Sequence, residues 1–462
     1  MHCKNVIEKS KYLILYILEI PRNLRTIKNW NAKKEKSFMK QQPMKTSKRS
    51  EWGYILEAGF EYFITILLSG AYLARITGTL GFSDSLTGIL SSFVSLGCLF
   101  RLAAIVVMRN VKSVKRTSIV IGSIHDLLFM LVYLTPIVPM SQAVKTVLFL
   151  VCFTAAHIVN NLILPARGAW MISLIDDKSR GIFTAKKEMV SLLGGMTFSY
   201  VMGSLVDYLE AQNQVRTAFI VGAVAIGLLG FFHVGSMVII QDAPAKEGIK
   251  RNLKETFRFL TGDKMLRKIL TVNILWQIAS HCATPFYGAY QIRELGFSMT
   301  FVSVLSIVTS VVRMGVSTPL GRYADRTSFV RMSYLCYMIV GVAFLAPCFA
   351  VPENGKVMFI IYYCLHGIAM GGINSSITNL VCDHVKGDMR KDAMALNSGL
   401  SGVAGFGATC LMSPVVAYIQ NNGNRIFGIS IHAAQFGSIV TVVLIAVLII
   451  YMKKALVGKK NA

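Results

Sequence analysis

Apolar runs long enough to form helices of about 20 residues recur along the chain from residue 54 to residue 452. A helix of that length crosses the hydrocarbon core of a bilayer, which is about 30 Å thick. Only 15% of the 462 residues are charged and 54% are hydrophobic, whereas a soluble domain has about 25% charged residues. The sequence therefore predicts an all-α polytopic membrane protein and excludes an ordinary soluble domain.

Twelve membrane spans are predicted, six on either side of a basic connection. We expect a basic tail over 1–50, a six-helix bundle over 51–240, a linker over 241–265, a second bundle over 266–452 and a basic tail over 453–462. The linker has apolar residues at helical spacing between bases, which is typical of an amphipathic surface helix. The spans, numbered in chain order, cover 54–78, 83–108, 117–137, 144–175, 188–207, 217–240, 266–290, 298–321, 330–350, 356–381, 393–418 and 430–452.

The net charge of +25 indicates an orientation in the membrane, and no nucleic-acid partner is expected. Most of the 48 lysines and arginines lie on the side of the two termini, which the positive-inside rule assigns to the cytoplasm. We therefore predict a multi-pass protein of the cytoplasmic membrane with both termini cytoplasmic and with its bases against anionic lipids. The bases predicted on the opposite side are Arg75, Lys145, Arg216, Arg293, Lys356 and Arg425.

The second half of the chain repeats the first when the sequence is shifted by 215 residues, which places Gly81 over Gly296 in two copies of the motif GFS. The register continues without a gap over two spans and the loop between them. Gly70 and Pro285 occupy matching positions in spans 1 and 7, where a broken helix would free carbonyl groups toward a cavity. The repeat predicts two pseudo-symmetric six-helix bundles.

A charged motif, "GRYADRTSFVR", follows span 8 and contains Gly321, Asp325, Arg326 and Arg331. Together with the twelve spans and the basic middle loop, this G-x-x-x-D-R pattern resembles the major facilitator superfamily of secondary transporters. The resemblance covers about residues 51–455 and implies the fold of that family. Ser328 stands where the family pattern has a second glycine.

The resemblance implies that Asp325 acts as a latch against the first turn of span 5, near residues 181–188, in the opposite half. A carboxylate is stabilised there by the positive end of the helix dipole. The matching loop of the first half, "VVMRNVKSVKR", has Asn110 in place of the acid and Val106 in place of the glycine. We therefore expect one intact latch rather than two.

The first half has three acids and two arginines within its spans, namely Glu57, Glu61, Asp126, Arg101 and Arg167. A charge at mid-bilayer costs at least about 2.5–3.5 kcal/mol, so each needs a partner or a wet cavity. A rise of about 1.5 Å per helical residue places four of them at a similar depth in the membrane: Glu61, Asp126, Arg101 and Arg167. Glu57 lies one helical turn from Glu61. The set is either a structural ion-pair network or a proton-coupling network in which the spare carboxylate takes up and releases a proton.

Arg313 in span 8 has no acid within the spans of its own half. Three roles stay open for it: binding an anionic group of the substrate, pairing with Glu57 or Glu61 across the halves, or extending to the inner surface.

Other polar residues of spans 1, 4, 7 and 10 are candidates for a substrate cavity, because the resemblance implies that these spans line it. Amides and aromatic side chains together suit an amphipathic or sugar-like ligand, although interhelical hydrogen bonds explain such residues too. The candidates are Tyr62, Thr65, His157, Asn160, Asn161, Trp276, Gln277, His281, Tyr287, His366 and Asn374.

The sequence has no nucleotide-binding loop and no hydrolase or metalloprotease motif, so we do not expect an enzyme. The nine cysteines form no C-x-x-C pair, so neither a metal site nor a cofactor is expected. We predict a monomeric secondary transporter that moves a small solute by alternating access, coupled to protons. The alternative is a non-transporting sensor or a lipid-translocating protein with the same fold.

Overall fold

The structure, a computed structural model, describes a large part of the predicted membrane region. The predicted N-terminal tail before residue 48, the amphipathic helix of the linker and the end of the C-terminal tail lie outside the described residues. The described residues are 48–107, 111, 113–175, 180–242, 258, 262–385, 389–426 and 428–457.

In the first half of the described chain, every regular element is an α-helix. Its helices are α1 (Lys48–Leu67), α2 (Gly70–Thr79), α3 (Asp84–Ser91), α4 (Phe93–Val107), α5 (Val114–Leu134), α6 (Gln142–Ser173), α7 (Arg180–Ala211) and α8 (Val215–Ile239).

The second half is helical except for one small hairpin, whose two-residue strands pair antiparallel. Its elements are α9 (Lys264–His281), α10 (Thr284–Ala289), a π-helical turn (Tyr290–Glu294), α11 (Met299–Arg326), α12 (Phe329–Cys348), α13 (Gly355–His384), α14 (Met389–Asn421), β1 (Arg425–Ile426), β2 (Ile429–Ser430), α15 (Ala433–Met452) and a terminal π-helical turn (Lys453–Val457).

In the part of the chain that the structure describes, nine helices are long and apolar enough to cross a membrane, and the bent pair α1 and α2 makes a tenth. The other two predicted spans, 83–108 and 266–290, are each divided into shorter helices. Pro285 lies in the first turn of α10. N–H groups of the first turn have no partner within a helix, so proline is tolerated there, whereas it would interrupt a continuous helix. A new helix therefore begins at this point, and α9 does not continue. The architecture is an all-α polytopic fold, as the sequence predicts.

The two GFS motifs form the same turn in both halves. Gly81 and Gly296 have φ angles of +73° and +64°, in the left-handed region that glycine adopts without steric cost. Ser83 and Ser298 then cap α3 and α11, since each hydroxyl accepts a hydrogen bond from the backbone N–H three residues later, at 3.2 and 3.1 Å. The repeated sequence thus fixes where span 2 and span 8 begin.

Ser328 also has a structural role of this kind. Its hydroxyl oxygen accepts a hydrogen bond from the backbone N–H of Arg331 at 3.2 Å and caps α12. Ser113 does the same for α5 through the N–H of Arg116 at 3.3 Å. Ser328, which stands where the family pattern has glycine, therefore corresponds to Ser113 of the first half, and each serine caps the helix that follows it.

The broken helices of the two halves meet backbone to backbone. α1 and α2 bend by 44° at a break that contains Gly70, whose φ is +52°. Gly288 of α10 packs on that break so closely that a Cβ atom there would lie 2.6 Å from the carbonyl carbon of Gly70. A glycine is needed at this position because any side chain would separate the two halves.

The halves are closed together at one end of the bundle and apart at the other. We call the end with the Gly81 and Gly296 turns the Gly81 end, and the end with Asp325 the Asp325 end. The largest apolar core contains residues from both halves, such as Leu73 and Tyr287. Near the Asp325 end, described residues of each half form a separate apolar cluster, so the structure is open there.

We expect Gly288→Ala to destabilise this conformation by about 1–3 kcal/mol, the usual penalty for overpacking, because its methyl group would collide with the Gly70 backbone. Thermal unfolding of the detergent-purified protein measures the effect as a lower melting temperature. Gly315→Ala is the matched control, since a Cβ there meets no atom within 4 Å and alanine favours a helix. Equal melting temperatures for the two variants would contradict the close contact.

Candidate functional site

Arg167 lies at the centre of a buried ionic cluster in the first half. Its Nε is 3.1 Å from Glu57 Oε1, and its Nη2 is 2.6 Å from Glu61 Oε2. The two acids reach one guanidinium because they are one turn apart on α1. Arg167 and Glu57 are each only 2% exposed, while Glu61 lies at the edge of the cluster, with its side chain 19% exposed.

Two histidines and Asp126 extend the cluster to two further helices, α5 and α8. His125 Nδ1 is 2.8 Å from one oxygen of Asp126, and His233 Nδ1 is 2.7 Å from the other. The second nitrogen of His233 faces Glu57 Oε1 at 3.7 Å. Side chains of α1, α5, α6 and α8 thus form a row of polar groups from Asp126 to Glu61, and its longest step is the 3.7 Å from His233 to Glu57.

This arrangement corrects the predicted charge balance. Arg101 does not contact the acids in the described part of the chain: its Nε donates to Asn161 Oδ1 at 2.8 Å. The cluster therefore contains three carboxylates and one arginine, so its charge is about −2 while the three acids are ionised and both histidines are neutral. Because uncompensated charge is costly in an apolar interior, we expect the cluster to hold protons on its histidines or carboxyl groups.

Sequence reasoning missed both histidines. His125 directly precedes Asp126 in the sequence, and His233 interrupts the apolar run of span 6. Either position could have indicated a hydrogen-bond partner for a buried acid, because a histidine inside a membrane span rarely lacks one.

A metal ion is a possible occupant of such a set of side chains, since ligand atoms of Glu57, Glu61 and His233 lie within 4.8 Å of one another. The guanidinium of Arg167 already lies against both carboxylates. Arg167 therefore already supplies one positive charge to this pair of acids.

A cavity of about 330 Å³ lies beside Glu61 and is lined by residues of the first half. Five predicted candidates line it: Tyr62, Thr65, His157, Asn160 and Asn161. Asn160 joins the cavity to the ionic cluster, since its amide donates to Glu61 Oε1 at 2.9 Å. The wall also contains Arg101, His125, Phe129 and Phe153.

Three candidates of the second half serve helix packing instead. Trp276 is buried against Tyr337, with 5.5 Å between ring centroids. The hydroxyl of Tyr287 lies 2.7 Å from Ser438 Oγ inside its own half. His281 Nε2 is 2.6 Å from Ser95 Oγ across the halves, so it contributes to their interface. The polar atoms of Tyr287 and His281 join neighbouring helices, and none of the three residues lines the cavity.

The remaining candidates also lie outside this cavity. Gln277 is half-buried and Asn374 is exposed. The ring of His366 stacks on Tyr362, with 5.1 Å between centroids.

Arg313 has a partner in the other half, but it is neither Glu57 nor Glu61. Its Nη2 is 3.9 Å from Glu188 Oε1 of α7, and both side chains are partly exposed. Glu57 and Glu61 contact Arg167, so the pairing of Arg313 with either of them, one of its three open roles, is not formed in this conformation. A pair this long and exposed contributes little to stability.

Asp325 is not engaged as a latch in this conformation. The residue is exposed, as are Arg326 and Arg331, and the described chain gives its carboxylate no hydrogen bond or ion pair. A side chain at Gly321 would meet no atom within 4 Å, so this glycine is not needed for a close approach here. Among the described residues, Asp325 makes no contact with the start of α7.

Arg293 ties the halves together at the Gly81 end, a role that sequence reasoning missed. It forms an ion pair with Asp84 and donates hydrogen bonds to the carbonyl oxygens of Ala74 and Phe82 at 2.8 and 2.9 Å. Gln420 of α14 donates to the other oxygen of Asp84 at 2.7 Å. One arginine of the second half thus binds three segments of the first.

Further contacts at the Gly81 end pair α7 with α11 and α3 with α14. Asp207 of α7 accepts hydrogen bonds from the backbone N–H groups of Met299 and Thr300, at 2.9 and 2.7 Å, and so caps α11 across the halves. Ser85 Oγ and Ser413 Oγ are 2.5 Å apart. The two contacts hold related helix pairs of the repeat together.

Comparison with known proteins agrees with this fold. A family model described as Major Facilitator Superfamily matches residues 53–409, and no curated protein sequence matches.

The similar solved structures are transporters. One is the nucleoside transporter NupG (13% identity, TM-score 0.64), with 89% of this chain and 100% of that chain covered. Another is a D-xylose-proton symporter (12% identity, TM-score 0.65), with 88% and 97% covered. A third is a bacterial homolog of the human lysosomal transporter Spinster in an inward-facing, unoccupied conformation (13% identity, TM-score 0.59), with 89% and 97% covered.

The match extends over most of the chain and includes the ionic cluster, the cavity and the motif at Asp325. The chain belongs to the major facilitator superfamily.

Proposed function

We propose that this protein is a proton-coupled transporter of a small solute that works by alternating access. The observation that carries the proposal is the shared wall of the cavity and the ionic cluster: Glu61 lines the cavity and binds Arg167 behind it. A solute in the cavity and a proton on the cluster would then act on the same side chain.

The polar chain behind Glu61 supplies sites for the proton. His233 connects Asp126 to Glu57, at 2.7 and 3.7 Å, and Glu57 shares Arg167 with Glu61. Protonation of Glu61 would weaken its ion pair with the guanidinium of Arg167. Glu57 would then be the remaining charged partner of Arg167. Such a change alters how α1 and α6 are held together, which is a route from proton binding to helix movement.

The two ends of the bundle supply the conformational part of the proposal. The Gly81 end is closed by contacts across the halves, while the halves have separate apolar clusters near the Asp325 end, so in this proposal the solute reaches the cavity from the Asp325 end. By the positive-inside rule the Asp325 end faces the cytoplasm, in the cytoplasmic membrane. Transport requires the opposite state, in which the contacts at the Gly81 end part and the Asp325 end closes.

Two of the structural neighbours fit this proposal. One is named as a D-xylose-proton symporter and another as a nucleoside transporter. At 12–13% identity the shared fold supports transport by the same kind of movement and leaves the substrate to be found by experiment.

We expect Glu61→Gln to abolish solute accumulation driven by a pH gradient, because the amide cannot exchange a proton. The substrate is first found by thermal-shift screening of sugars, organic anions, peptides and drugs, since ligands of the native state raise its stability. Accumulation and internal pH are then followed in proteoliposomes, and exchange of solute without a gradient should persist.

Glu51→Gln is the matched control, since Glu51 is an acid in the first turn of the same helix, outside the cluster. Proton-driven accumulation that survives in Glu61→Gln would contradict the proposed role. Wild-type protein that binds ligand but moves no solute would favour the sensor or lipid-translocating alternative.

Cross-linking the Gly81 end should stop transport. The double variant Ser85→Cys with Ser413→Cys replaces two hydroxyls that are 2.5 Å apart, close enough for cysteines to form a disulfide after small adjustments. We expect oxidation to block solute flux and reduction to restore it, while ligand binding from the open end persists. The two single variants are the controls, and full flux in the cross-linked protein would contradict alternating access.

Asp325→Asn should slow transport while ligand affinity stays within a few fold of wild type. The reason is that the latch stabilises the state closed at the Asp325 end, and its loss shifts the balance between the two states. Transport rate and equilibrium binding are measured on the same preparation, with Arg322→Gln as a control, since Arg322 is exposed at a variable position of the same motif. A large loss of affinity at normal turnover would contradict this role.

A further inference from the structure

Arg101 differs in one respect from the other buried and half-buried arginines of the described chain. A buried or half-buried arginine normally needs a carboxylate nearby. Among the described residues, four such arginines have one within 4.0 Å, and Arg101 does not. The four pairs are Arg75 with Glu210, Arg167 with Glu57 and Glu61, Arg293 with Asp84, and Arg313 with Glu188.

Arg101 is nevertheless held in a defined position on the cavity wall. Its Nε donates to Asn161 Oδ1 at 2.8 Å, and the Asn161 amide donates to the carbonyl oxygen of His157 at 2.8 Å. Asn161 fits because Gly97 has no side chain: a Cβ there would lie 2.4 Å from Asn161 Nδ2. The terminal nitrogens of the half-buried guanidinium have no hydrogen-bond partner in the described part of the chain.

The acid of the same cavity does not neutralise Arg101. One oxygen of Glu61 binds Arg167 at 2.6 Å, and the other accepts from Asn160 at 2.9 Å. The neighbouring residues Asn160 and Asn161 of α6 bind different side chains: Asn160 binds Glu61, and Asn161 binds Arg101. Glu61 and Arg101 therefore occupy separate parts of the cavity wall. A positive charge facing the cavity is therefore left for a ligand.

Aromatic rings and an unused nitrogen complete the cavity wall. Phe129 and Phe153 pack against the ring of His157, with centroid distances of 5.4 and 4.6 Å. His157 Nε2 is buried and has no hydrogen-bond partner in the part of the chain that the structure describes. These surroundings favour a ligand with an apolar or aromatic body.

We propose that Arg101 binds the carboxylate of a small organic acid whose apolar body lies against Phe129 and Phe153. This inference rests on the proposed transport function and names the class of its substrate. A guanidinium and a carboxylate form two parallel hydrogen bonds, and the two terminal nitrogens of Arg101 are available for them. A singly charged carboxylate suits one arginine better than a doubly charged phosphate, because Glu61 lies in the same cavity.

The charge of such a substrate also agrees with proton coupling. A monocarboxylate that moves together with one proton transfers no net charge, so the pH gradient alone drives it. Arg101 would then be neutralised by the substrate during the cycle, as the other four arginines are by carboxylates of the protein.

The test uses three probes that share one ring and differ in charge: benzoate, benzamide and benzylamine. Thermal shifts of the full chain in detergent are measured against each probe at constant ionic strength, adjusted with sodium chloride. We expect benzoate to raise the melting temperature with a saturable dose dependence, and benzamide and benzylamine to have no effect.

Arg101→Gln should weaken the apparent affinity for benzoate by about tenfold or more, as loss of a hydrogen-bonded charged group does. Arg101→Lys keeps the charge and should retain part of the affinity. Arg326→Gln controls for anions that bind the basic surface and should leave affinity unchanged. Size-exclusion chromatography establishes that each variant is folded.

Stabilisation by benzamide equal to that by benzoate, unchanged affinity in Arg101→Gln, or no benzoate binding by wild type would each overturn the inference. These failures are distinguishable from failure of the proposed function. Accumulation of a neutral solute driven by a pH gradient would leave transport standing without the carboxylate site. Benzoate binding through Arg101 without proton movement would leave the site standing without proton coupling.

Discussion

The bond between one buried guanidinium and two carboxylates organises the first half of this protein. Arg167 could not remain charged in an apolar bundle without Glu57 and Glu61, and its ion pairs with these acids link α6 to α1 through their side chains. His233 and Asp126 then draw α8 and α5 to the same point. The cavity beside α1 exists because these polar groups hold the helices where they are, rather than allowing apolar side chains to fill the space.

Much of the fold could be predicted from the sequence because bilayer thickness and turn chemistry are local constraints. The apolar runs predicted the helices, and the repeated GFS motif marked equivalent turns at Gly81 and Gly296, which the structure shows with left-handed glycines and serine caps. The family resemblance, based on the repeat and on Gly321, Asp325 and Arg326, is confirmed by the family match over residues 53–409.

The site was predicted less completely because its contacts join residues far apart in the chain. Depth arithmetic placed Glu61, Asp126, Arg101 and Arg167 at a similar level, but it could not show that Arg101 turns toward Asn161 instead of an acid. The partner of Arg313, Glu188, lies in the first turn of predicted span 5 and was not considered. Contacts that depend on the conformational state, such as that of Asp325, cannot be read from the sequence because one sequence encodes both states.

The Gly81 end is closed by hydrogen bonds of a particular kind. Asp207 accepts from backbone N–H groups at the start of α11, and Ser85 and Ser413 pair by their hydroxyls. Water can replace each of these partners when the halves separate, so opening exchanges one set of hydrogen bonds for another at a small net free-energy change. The two access states can therefore lie close in free energy, and the modest binding energy of a small solute is enough to choose between them.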